Sequence, residues 1–424
     1  MAKLNVIDRN KGQFYKNGKP KPPNWQYRFE GAKVGGKRQP ISKAGFRTKK
    51  EAEIAGAKAM AEYNNAGLKF TPSEMSFSDY LDYWYKNYVE MTCRHNTQVS
   101  YEGIIRLHLK PALGQYRLKA LTPIMLQDYV NQKFVAGLKK STLKNIMGVL
   151  TGSLDYAVLP AQLLQSSPAA NIKYPKLSAE RAEVNRTVIS LDDFQQMLNH
   201  FEKGNPFRYA LLIGFHTGLR IGEVYGLTWE DIDLKAHTLS VNKLVYKRKR
   251  GEGTAWYFGD TKTNASIRSI KIGETLVREL KEYRTMQLEQ QLSYGEYYTQ
   301  IFKKPEKDEK GNTIYRLIEV EKSLPVALPE ADLVMRKENG QYSSTDAFKY
   351  AARVIHYDLG IRFNFHSLRH THATMLIEAG VSPKAVQARL GHEHINTTLQ
   401  TYVHNTEAME ESAVDTFEKL VYKK

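Results

Sequence analysis

The spacing of the apolar residues changes along this chain, and each spacing favours one kind of secondary structure. Between residues 25 and 30 three aromatic residues alternate with polar ones, which is the period of a strand with one buried face. A second strand is expected at 38–42, beyond a turn rich in glycine. Thr48 followed by Glu51 is typical of a capping box, so a helix should begin there. The N-terminal segment is therefore predicted to be a small basic sheet backed by one helix.

Between residues 75 and 171 the apolar residues recur every three to four positions, as they do on amphipathic helices. Four such stripes follow one another. Thr122 and Pro123 are predicted to be the N-cap and first residue of the third helix, and Ser141 the N-cap of the fourth. Because each stripe needs a partner that buries it, this segment predicts an all-α domain.

A break in the helical pattern separates this segment from the rest of the chain. Pro160, Pro168 and Pro175 precede the charged stretch 176–186, and proline does not continue a helix. At 424 residues the chain is also longer than one hydrophobic core usually serves. We therefore predict an N-terminal domain at 1–72, a helical domain at 73–175, a linker at 176–186 and a last domain at 187–424.

Helices return in the last domain and are interrupted between residues 238 and 272 by alternating apolar residues, which predict a small antiparallel sheet. The segment 283–344 is unusually polar. We interpret it as the extension of a helix followed by a hairpin insert, with a turn at 304–311. The predicted fold class is multidomain and mainly α with small β-sheets.

The charge of the chain favours a polyanionic partner. Lys and Arg outnumber Asp and Glu by 62 to 45, which gives a net charge of +17. Residues 1–72 hold 16 of the basic and 5 of the acidic residues, and so carry 11 of the 17 net positive charges. Nucleic acid is the leading candidate for such a partner. A solvated basic surface without a partner remains the simpler interpretation of the charge alone.

The cellular compartment is predicted from cysteine usage and hydropathy. The single Cys93 cannot form an internal disulfide, which favours a reducing cytoplasm. No apolar run reaches the length that spans a membrane, and the N-terminus has no apolar signal core. We expect a cytoplasmic protein without a membrane partner.

Two motifs in the last domain each place one cation at a junction between elements. Arg220 lies between two glycines after an apolar helix, and its simplest interpretation is a surface arginine paired with Glu223. Lys262 lies between the predicted strands of Trp256 and Ile267, where a hairpin tip would carry it toward a bound ligand. An exposed hairpin lysine is more often only a solubility device.

Two further motifs combine histidine, arginine and tyrosine. His366 and Arg369 are three residues apart at the start of a predicted helix, so they share one face. The next helix is predicted to begin at Ser382 and to stop at His392 and the glycine before it. Tyr402 follows ten residues later in a short predicted helix.

Cleavage of a phosphodiester by a phenol would use all of these groups. Arginine forks match the charged non-bridging oxygens of the transition state, and Lys262 is suited to protonating the leaving 5′-oxygen. His366 and His392 can bind the phosphate or help to move the proton of Tyr402, because a tyrosine with a pKa of about 10 rarely ionises unaided. A covalent phosphotyrosine keeps the bond energy, so rejoining needs no nucleotide cofactor.

Together and in this order, the four motifs resemble those of the tyrosine recombinase (phage integrase) family. The resemblance implies a 3′-phosphotyrosine intermediate, a Holliday junction, and no metal or other cofactor. It assigns the family's catalytic roles to Arg220, Lys262, His366, Arg369, His392 and the nucleophile Tyr402. The polar insert at 283–344 and the additional histidines are less usual, but neither removes a catalytic element.

The N-terminal segments also resemble the arm-binding and core-binding (SAM-like) modules of integrases from temperate phages and conjugative transposons. This resemblance implies double-stranded attachment sites of arm and core type as the DNA partners. Arg28, Lys37 and Arg38 are our candidates for contact with arm-type DNA. Contact with phosphates alone, without reading sequence, is an equally good interpretation of these three residues.

The last helical stripe, which comprises Val414, Phe417, Leu420 and Val421, needs a surface to cover it. The family resemblance implies docking onto a neighbouring protomer of a homotetramer on DNA, and packing on its own domain is the alternative. An excisionase and a DNA-bending protein are possible further partners. We also expect the protein to act in a bacterial host, in association with the nucleoid.

Three other functions remain open at this point. Among recombinases, a chromosome-dimer resolving enzyme resembles only the last two domains. A non-catalytic DNA-binding regulator could use the helices on either side of Gly380 as a helix-turn-helix. A metal hydrolase would use the histidines, but His370 and His372 point about 200° apart on a helix and cannot share one ion.

Overall fold

The computed structural model describes residues 4–34, 37–64, 75–175, 187–250, 253–261 and 264–395, together with Val414 and Glu418. The chain divides into two units, Met1–Ser178 and Ala179–Lys424. The first unit holds the N-terminal sheet and the helical segment. The second holds all of the described candidate catalytic residues. None of the described helices is long and apolar enough to cross a membrane.

The N-terminal sheet is antiparallel and is covered on one face by a helix, as predicted. Its elements are β1 (Asn5–Asp8), β2 (Trp25–Val34), β3 (Lys37–Phe46) and α1 (Lys49–Asn64), and the strand order is β1-β2-β3. Tyr27 and Phe29 are buried on the face toward α1. A Cβ atom on Gly56 would lie 2.8 Å from Tyr27 Cβ, so the glycine permits the helix to approach the sheet closely. The short strand β1 was not predicted.

The predicted cap of α1 is half confirmed. Glu51 N donates to Thr48 Oγ1 at 3.2 Å, as a capping box requires. The carboxylate of Glu51, however, accepts from Arg47 N at 3.1 Å, one residue before the expected donor.

The helical segment consists of four continuous helices, which confirms the predicted number. Two of them are interrupted by single π-helical turns at Tyr85–Val89 and Ile105–Leu109. Their α-helical parts are α2 (Phe77–Trp84), α3 (Glu90–Thr92), α4 (His95–Ile104), α5 (Lys110–Leu113), α6 (Pro123–Val135) and α7 (Lys140–Val158). The apolar stripes meet in one core that includes Trp84, Leu126 and Leu150.

One of the two predicted caps in this segment is correct. Thr122 Oγ1 accepts from Met125 N at 3.4 Å and opens α6. Ser141 does not cap α7, because the first helical bond runs from Leu143 N to Lys139 O at 3.0 Å and makes Lys139 the N-cap. Ser141 therefore lies inside the first turn.

The second unit combines helices with two antiparallel sheets. The sheets have the strand orders β4-β5-β8 and β6-β7-β10-β9. The strands are β4 (Ile232–Asp233), β5 (Thr238–Val241), β6 (Lys243–Arg250), β7 (Gly253–Asp260), β8 (Arg268–Lys271), β9 (Thr299–Lys307) and β10 (Thr313–Glu321). The helices are α8 (Leu191–His200), α9 (Pro206–Thr217), α10 (Ile221–Val224), α11 (Glu274–Tyr294), α12 (Thr345–Tyr357), α13 (Phe365–Glu378) and α14 (Pro383–Leu390).

The prediction of one small sheet between residues 238 and 272 was wrong. Strand β7 pairs with β6 and β10, whereas β8 pairs with β5. The segment from β7 to β8 therefore passes from one sheet to the other and is not the tip of a hairpin. Lys262, which we expected at that tip, lies outside the described residues.

The polar insert has the predicted form and an unpredicted contact. Helix α11 is followed by the hairpin of β9 and β10. The turn is shorter than expected, since Lys304 still pairs with Arg316 in the ladder. Strand β10 also pairs with β7 through Arg316 and Tyr257, and Glu309 at the turn contacts Arg248 Nη2 at 2.5 and 2.7 Å. The insert is thus an integral part of the larger sheet.

Helices α13 and α14 pack against each other around a small apolar cluster. Val386 and Leu390 on α14 contact Ala373 on α13, with Leu376 partly buried beside them. Ser382 caps α14 and Gly391 ends it, both as predicted. The two helices on either side of Gly380 therefore share a core.

Replacing Leu150 by alanine should lower the free energy of unfolding of the helical segment by about 2–5 kcal/mol, because it leaves a cavity at a fully buried site. Val135→Ala removes a side chain that is 85% exposed, and should change it by less than about 0.5 kcal/mol. Hydrogen exchange of peptides from residues 123–158 in the full chain measures both. Equal protection in the two variants would contradict this core.

Candidate active site

Arg220 lies at the junction between α9 and α10. Gly218 ends α9 in the left-handed conformation, with a φ of 68° that favours glycine. A Cβ atom on Gly218 would lie 2.6 Å from Leu390 Cδ2, so a larger residue would displace the side chain of Leu390. Arg220 then adopts an extended conformation at the N-cap of α10. Its side chain remains 40% exposed, which leaves the guanidinium accessible to a ligand.

The buried carboxylate of Glu223 fixes the conformation of Arg220. Its carboxylate accepts from Arg220 Nη1 at 2.8 Å and from Arg220 N at 3.0 Å, and Arg268 Nη2 donates to it at 3.1 Å. Burial alone would raise the pKa of Glu223, but Arg268 and Arg220 reverse this effect and leave the pKa below its usual value. The simple surface pair is therefore not what the structure shows: Glu223 is buried and anchors the side chain of Arg220.

Arg369 is one of the largest fully buried side chains of the protein, with 2% of its surface exposed. Its Nη1 donates to Gly218 O at 2.8 Å and its Nη2 donates to Leu390 O at 2.7 Å. Arg369 on α13 therefore connects the end of α9 to the end of α14. The same two contacts fix the direction in which its guanidinium points.

His366 and His392 lie on either side of this arginine in the chain. His366 is exposed in the first turn of α13, with its ring centroid 4.5 Å from that of His370. His392 is partly buried just after α14, and its carbonyl accepts from Gln387 Nε2 at 3.0 Å. Burial, followed by the charges of Arg369 and neighbouring cations, lowers the pKa of His392 to about 4. The ring is therefore neutral near pH 7.

The structure thus brings four of the six predicted catalytic side chains together. Arg220, Arg369 and His366 all contribute to the electrostatic potential at His392. Lys262 and Tyr402 lie outside the described residues. Of the candidate DNA contacts, Arg28 is exposed on β2, whereas only the backbone of Lys37 and Arg38 is described, in β3.

His372 belongs to the framework of this site and not to a metal centre. Its Nδ1 lies 2.9 Å from Phe215 O, and Arg389 Nε donates to its Nε2 at 2.9 Å. Since arginine only donates, the ring must be neutral with its proton on Nδ1. Among the described residues, no group of three His, Cys, Asp or Glu side chains is arranged to hold a metal ion.

Two framework residues were missed by the sequence analysis. Arg389 donates through Nη1 to Lys271 O and through Nη2 to His216 O, and so connects three elements. Arg268 contacts Arg389 O and Glu223. Both are single arginines in otherwise ordinary elements, and their partners lie far away in the chain, so no local pattern could have revealed them.

The comparisons with known proteins identify the family. The phage integrase family model matches residues 187–409, which is more than half of the chain. The model of the N-terminal SAM-like domain of phage integrases matches residues 76–134, and an arm DNA-binding domain model matches residues 13–62. The chain therefore belongs to the phage integrase family of tyrosine recombinases, which are enzymes that cleave and rejoin DNA.

Individual relatives match over most of their length. A tyrosine recombinase XerC-like protein of Caldanaerobacter subterraneus is 28% identical over 385 residues, which is 88% of this chain and 90% of that protein. The integrase of Staphylococcus phage L54a is 30% identical over 370 residues, 82% of this chain and 94% of the relative.

Solved structures show the same fold at lower identity. The integrase of transposon Tn1549, in complex with transposon right end DNA, has a TM-score of 0.58 at 18% identity and covers 81% of this chain and 99% of that one. A lambda integrase tetramer bound to a Holliday junction has a TM-score of 0.52 at 17% identity, with 95% and 97% covered. The predicted fold class is confirmed.

Acidification should destabilise the folded protein through His372. Burial, followed by the charge of Arg389, lowers its pKa from 6.5 to about 4, so below pH 6.5 the unfolded chain binds a proton that the folded chain does not. Stability from the neutral ring is complete above pH 6.5 and is lost as the pH falls toward 4. We therefore expect His372→Gln, which cannot titrate, to reduce the difference in melting temperature between about pH 7.5 and about pH 5.

His356→Gln is the matched control, because it replaces a histidine that is exposed on α12 and lacks the buried contacts of His372. Circular dichroism of the three proteins at both pH values measures the effect. An unchanged difference in the His372→Gln protein would contradict a neutral His372.

Proposed function

We propose that this chain is a site-specific integrase that cleaves and rejoins attachment-site DNA through Tyr402, and that it integrates and excises a phage or a conjugative transposon. The observation that carries the proposal is the convergence of Arg220, Arg369, His366 and His392 in a chain of this family. Cleavage would give a 3′-phosphotyrosine, and exchange of strands would pass through a Holliday junction.

The electrostatics of the site suit a phosphodiester. After burial, the charges that lower the pKa of His392 come from Arg369, Arg220, His366 and Arg268. Fixed arginine donors in a partly dehydrated site stabilise the charge on the non-bridging oxygens as the phosphorus becomes pentacoordinate. Arg220, which is the more exposed of the two catalytic arginines, would meet the phosphate at the surface of the site.

The histidines would act as donors to this phosphate. Because the pKa of His392 is about 4, its ring is a neutral imidazole near pH 7. Such a ring has one N–H group that can donate to the phosphate. A bound phosphate would place negative charge beside the ring and raise this pKa. Lys262 is assigned the protonation of the leaving 5′-oxygen and Tyr402 the attack, both by resemblance to the family.

For the modules, we propose an arm-binding domain at 1–72, a core-binding domain at 73–175, a linker at 176–186 and a catalytic domain at 187–424. The outer face of the N-terminal sheet supports the first assignment. Asn5, Arg28 and Ser42 are exposed there, and the strand register places them directly opposite one another in a row. Amide, guanidinium and hydroxyl groups are the ones that read base edges in the major groove.

The segment that connects β1 to β2 adds positive charge beside this row. Residues 9–24 hold five Lys and Arg residues and no acidic residue. Backbone bonds from Tyr15 N to Lys19 O and from Lys21 N to Gln13 O keep the segment ordered. Such a basic surface suits phosphate contact, which would set the register of the sheet in the groove. Lys37 and Arg38 are assigned to the same interface.

We further propose that the active assembly is a homotetramer on DNA and that it acts in the cytoplasm, at the nucleoid of a bacterial host. The lambda integrase tetramer on a Holliday junction supports this assembly. Val414 is helical and exposed, and the rest of its apolar stripe lies outside the described residues. The same proposal includes docking of this stripe onto a neighbouring protomer. It also includes an excisionase and a DNA-bending protein as further partners.

A chromosome-dimer resolving recombinase is the second candidate, because a XerC-like protein is among the relatives. The arm DNA-binding match at residues 13–62 favours the integrase of a mobile element.

Wild-type protein should form a covalent adduct with nicked attachment-site DNA in excess chelator, and Tyr402→Phe should form none, because the phenol is the nucleophile. Tyr357→Phe is the control, since this tyrosine is 77% exposed on α12 and has no assigned role. Denaturing gels measure the adduct. An adduct from Tyr402→Phe would show that another residue attacks, and an adduct that required a metal would contradict the cofactor-free mechanism.

Arg28→Ala should weaken binding to arm-type DNA about 5- to 150-fold and leave core cleavage unchanged, because one bidentate base contact contributes about 1–3 kcal/mol. Lys58→Ala removes one exposed positive charge from α1 and should cost much less. Fluorescence anisotropy measures both affinities. An arm affinity that is the same in both variants would contradict the assignment of the outer face.

A further inference from the structure

Helix α14 ends beside the candidate catalytic side chains, and its last carbonyl groups need donors from elsewhere. The final carbonyls of a helix have no partner within it. Here Arg389 O accepts from Arg268 Nε at 2.8 Å, and Leu390 O accepts from Arg369 Nη2 at 2.7 Å. Since His392 follows directly, two buried guanidinium groups hold the turn that carries it.

Both guanidinium groups also reach the segment that carries Arg220. Arg369 Nη1 donates to Gly218 O, two residues before Arg220, at 2.8 Å. Arg268 Nη2 donates to Glu223, three residues after Arg220, at 3.1 Å. Two arginines therefore form parallel bridges between the same two segments. Only one of these arginines belongs to the catalytic set that the motifs predict.

Arg268 fits its position as a planar fork. Its side chain is 7% exposed, and its Nη1 donates to Ser266 O at 3.0 Å, which engages its third nitrogen. A Cβ atom on Gly391 would lie 3.0 Å from Arg268 Nη1 and 3.2 Å from its Cδ, so the side chain packs against the glycine before His392. A lysine ammonium is a single point and cannot reach these three acceptors together.

We propose that Arg268 is a positioning residue for DNA cleavage, which holds Arg220 and His392 in register without contacting DNA. The inference rests on the proposed function and adds a residue to its machinery. Because Arg220 is held by Glu223 and His392 follows the end of α14, loss of the bridge would let the two groups separate. A displacement of about 1 Å at a catalytic group can slow a reaction about 100-fold.

The electrostatic contribution of Arg268 supports the same conclusion. Burial raises the pKa of Glu223, and Arg268 is the first of the charges that lower it. Arg268 also contributes to the low pKa of His392, after burial and the nearer cations. The charge of Arg268 thus lowers a pKa in the segment of Arg220 and another in the turn of His392.

The test is Arg268→Lys in the full chain, which keeps the charge and removes the fork. We expect the single-turnover rate of adduct formation on nicked attachment-site DNA to fall about 10- to 100-fold. Affinity for the same DNA should stay within about threefold, because the variant keeps the charge and all three guanidinium nitrogens of Arg268 already donate to protein acceptors. Quench-flow sampling and anisotropy separate the two quantities.

Arg336→Lys is the matched control. Arg336 is 5% exposed, donates to Leu333 O and Ala331 O at 3.0 Å each, and pairs with Asp332 at 2.9 Å. Like Arg268, it therefore donates to two carbonyls and pairs with acidic side chains, here Asp332 and, at 3.6 Å, Glu330, but none of these partners belongs to a predicted catalytic segment. The control should cleave at the wild-type rate, at a temperature where circular dichroism shows all proteins folded.

A wild-type rate in Arg268→Lys would overturn the inference, since charge alone would then suffice. Equal slowing in Arg336→Lys would overturn it too, by assigning the effect to general loss of packing. If Arg268→Lys does not fold, Glu223→Gln breaks the same bridge at its other end, and a wild-type rate there overturns the inference. Absence of any adduct with wild-type protein overturns the proposed function, and this inference with it.

Discussion

Three backbone carbonyl groups, those of Gly218, Arg389 and Leu390, converge where α9 and α14 end. A buried carbonyl without a donor costs about 1–3 kcal/mol, so these ends can pack together only if side chains donate to them. Arg268 and Arg369 supply the donors. The need to satisfy the ends of two helices therefore brings two positive charges to the place where the candidate catalytic residues converge.

That solution determines the electrostatics of the whole site. Guanidinium groups stay charged at any physiological pH, so a framework built from them creates a permanent positive potential. Glu223 is the buried counter-charge, and it contacts the partly exposed guanidinium of Arg220. Burial is the main reason why His372 and His392 stay neutral, and the positive charges add to it, because protonating either ring would add charge to an already positive neighbourhood. Structure and phosphate binding thus depend on the same charges.

The sequence predicted the elements that local patterns specify. Ser382 and Gly391 bound α14 as expected, because caps are decided within one turn of a helix. The predicted hairpin between β7 and β8 was wrong because β8 pairs with β5, about thirty residues earlier in the chain, and no local signal distinguishes the two sheets. The bridge of Arg268 to Arg389 O spans 121 residues, which explains why Arg268 was missed. Local rules gave the parts of the site, and tertiary packing supplied its framework.

The two glycines of the motifs have a consequence for how this protein can vary. A side chain on Gly218 would collide with Leu390, and one on Gly391 would collide with Arg268 and with Ala265 O at 2.9 Å. Each glycine therefore marks a close approach between distant parts of the chain and performs no chemistry. The side chain of Leu390, next to Gly391, packs against Gly218, so a substitution in one motif changes the space available to the other. A designer who wishes to alter either motif has to treat both as a single unit, although they are 173 residues apart in the chain.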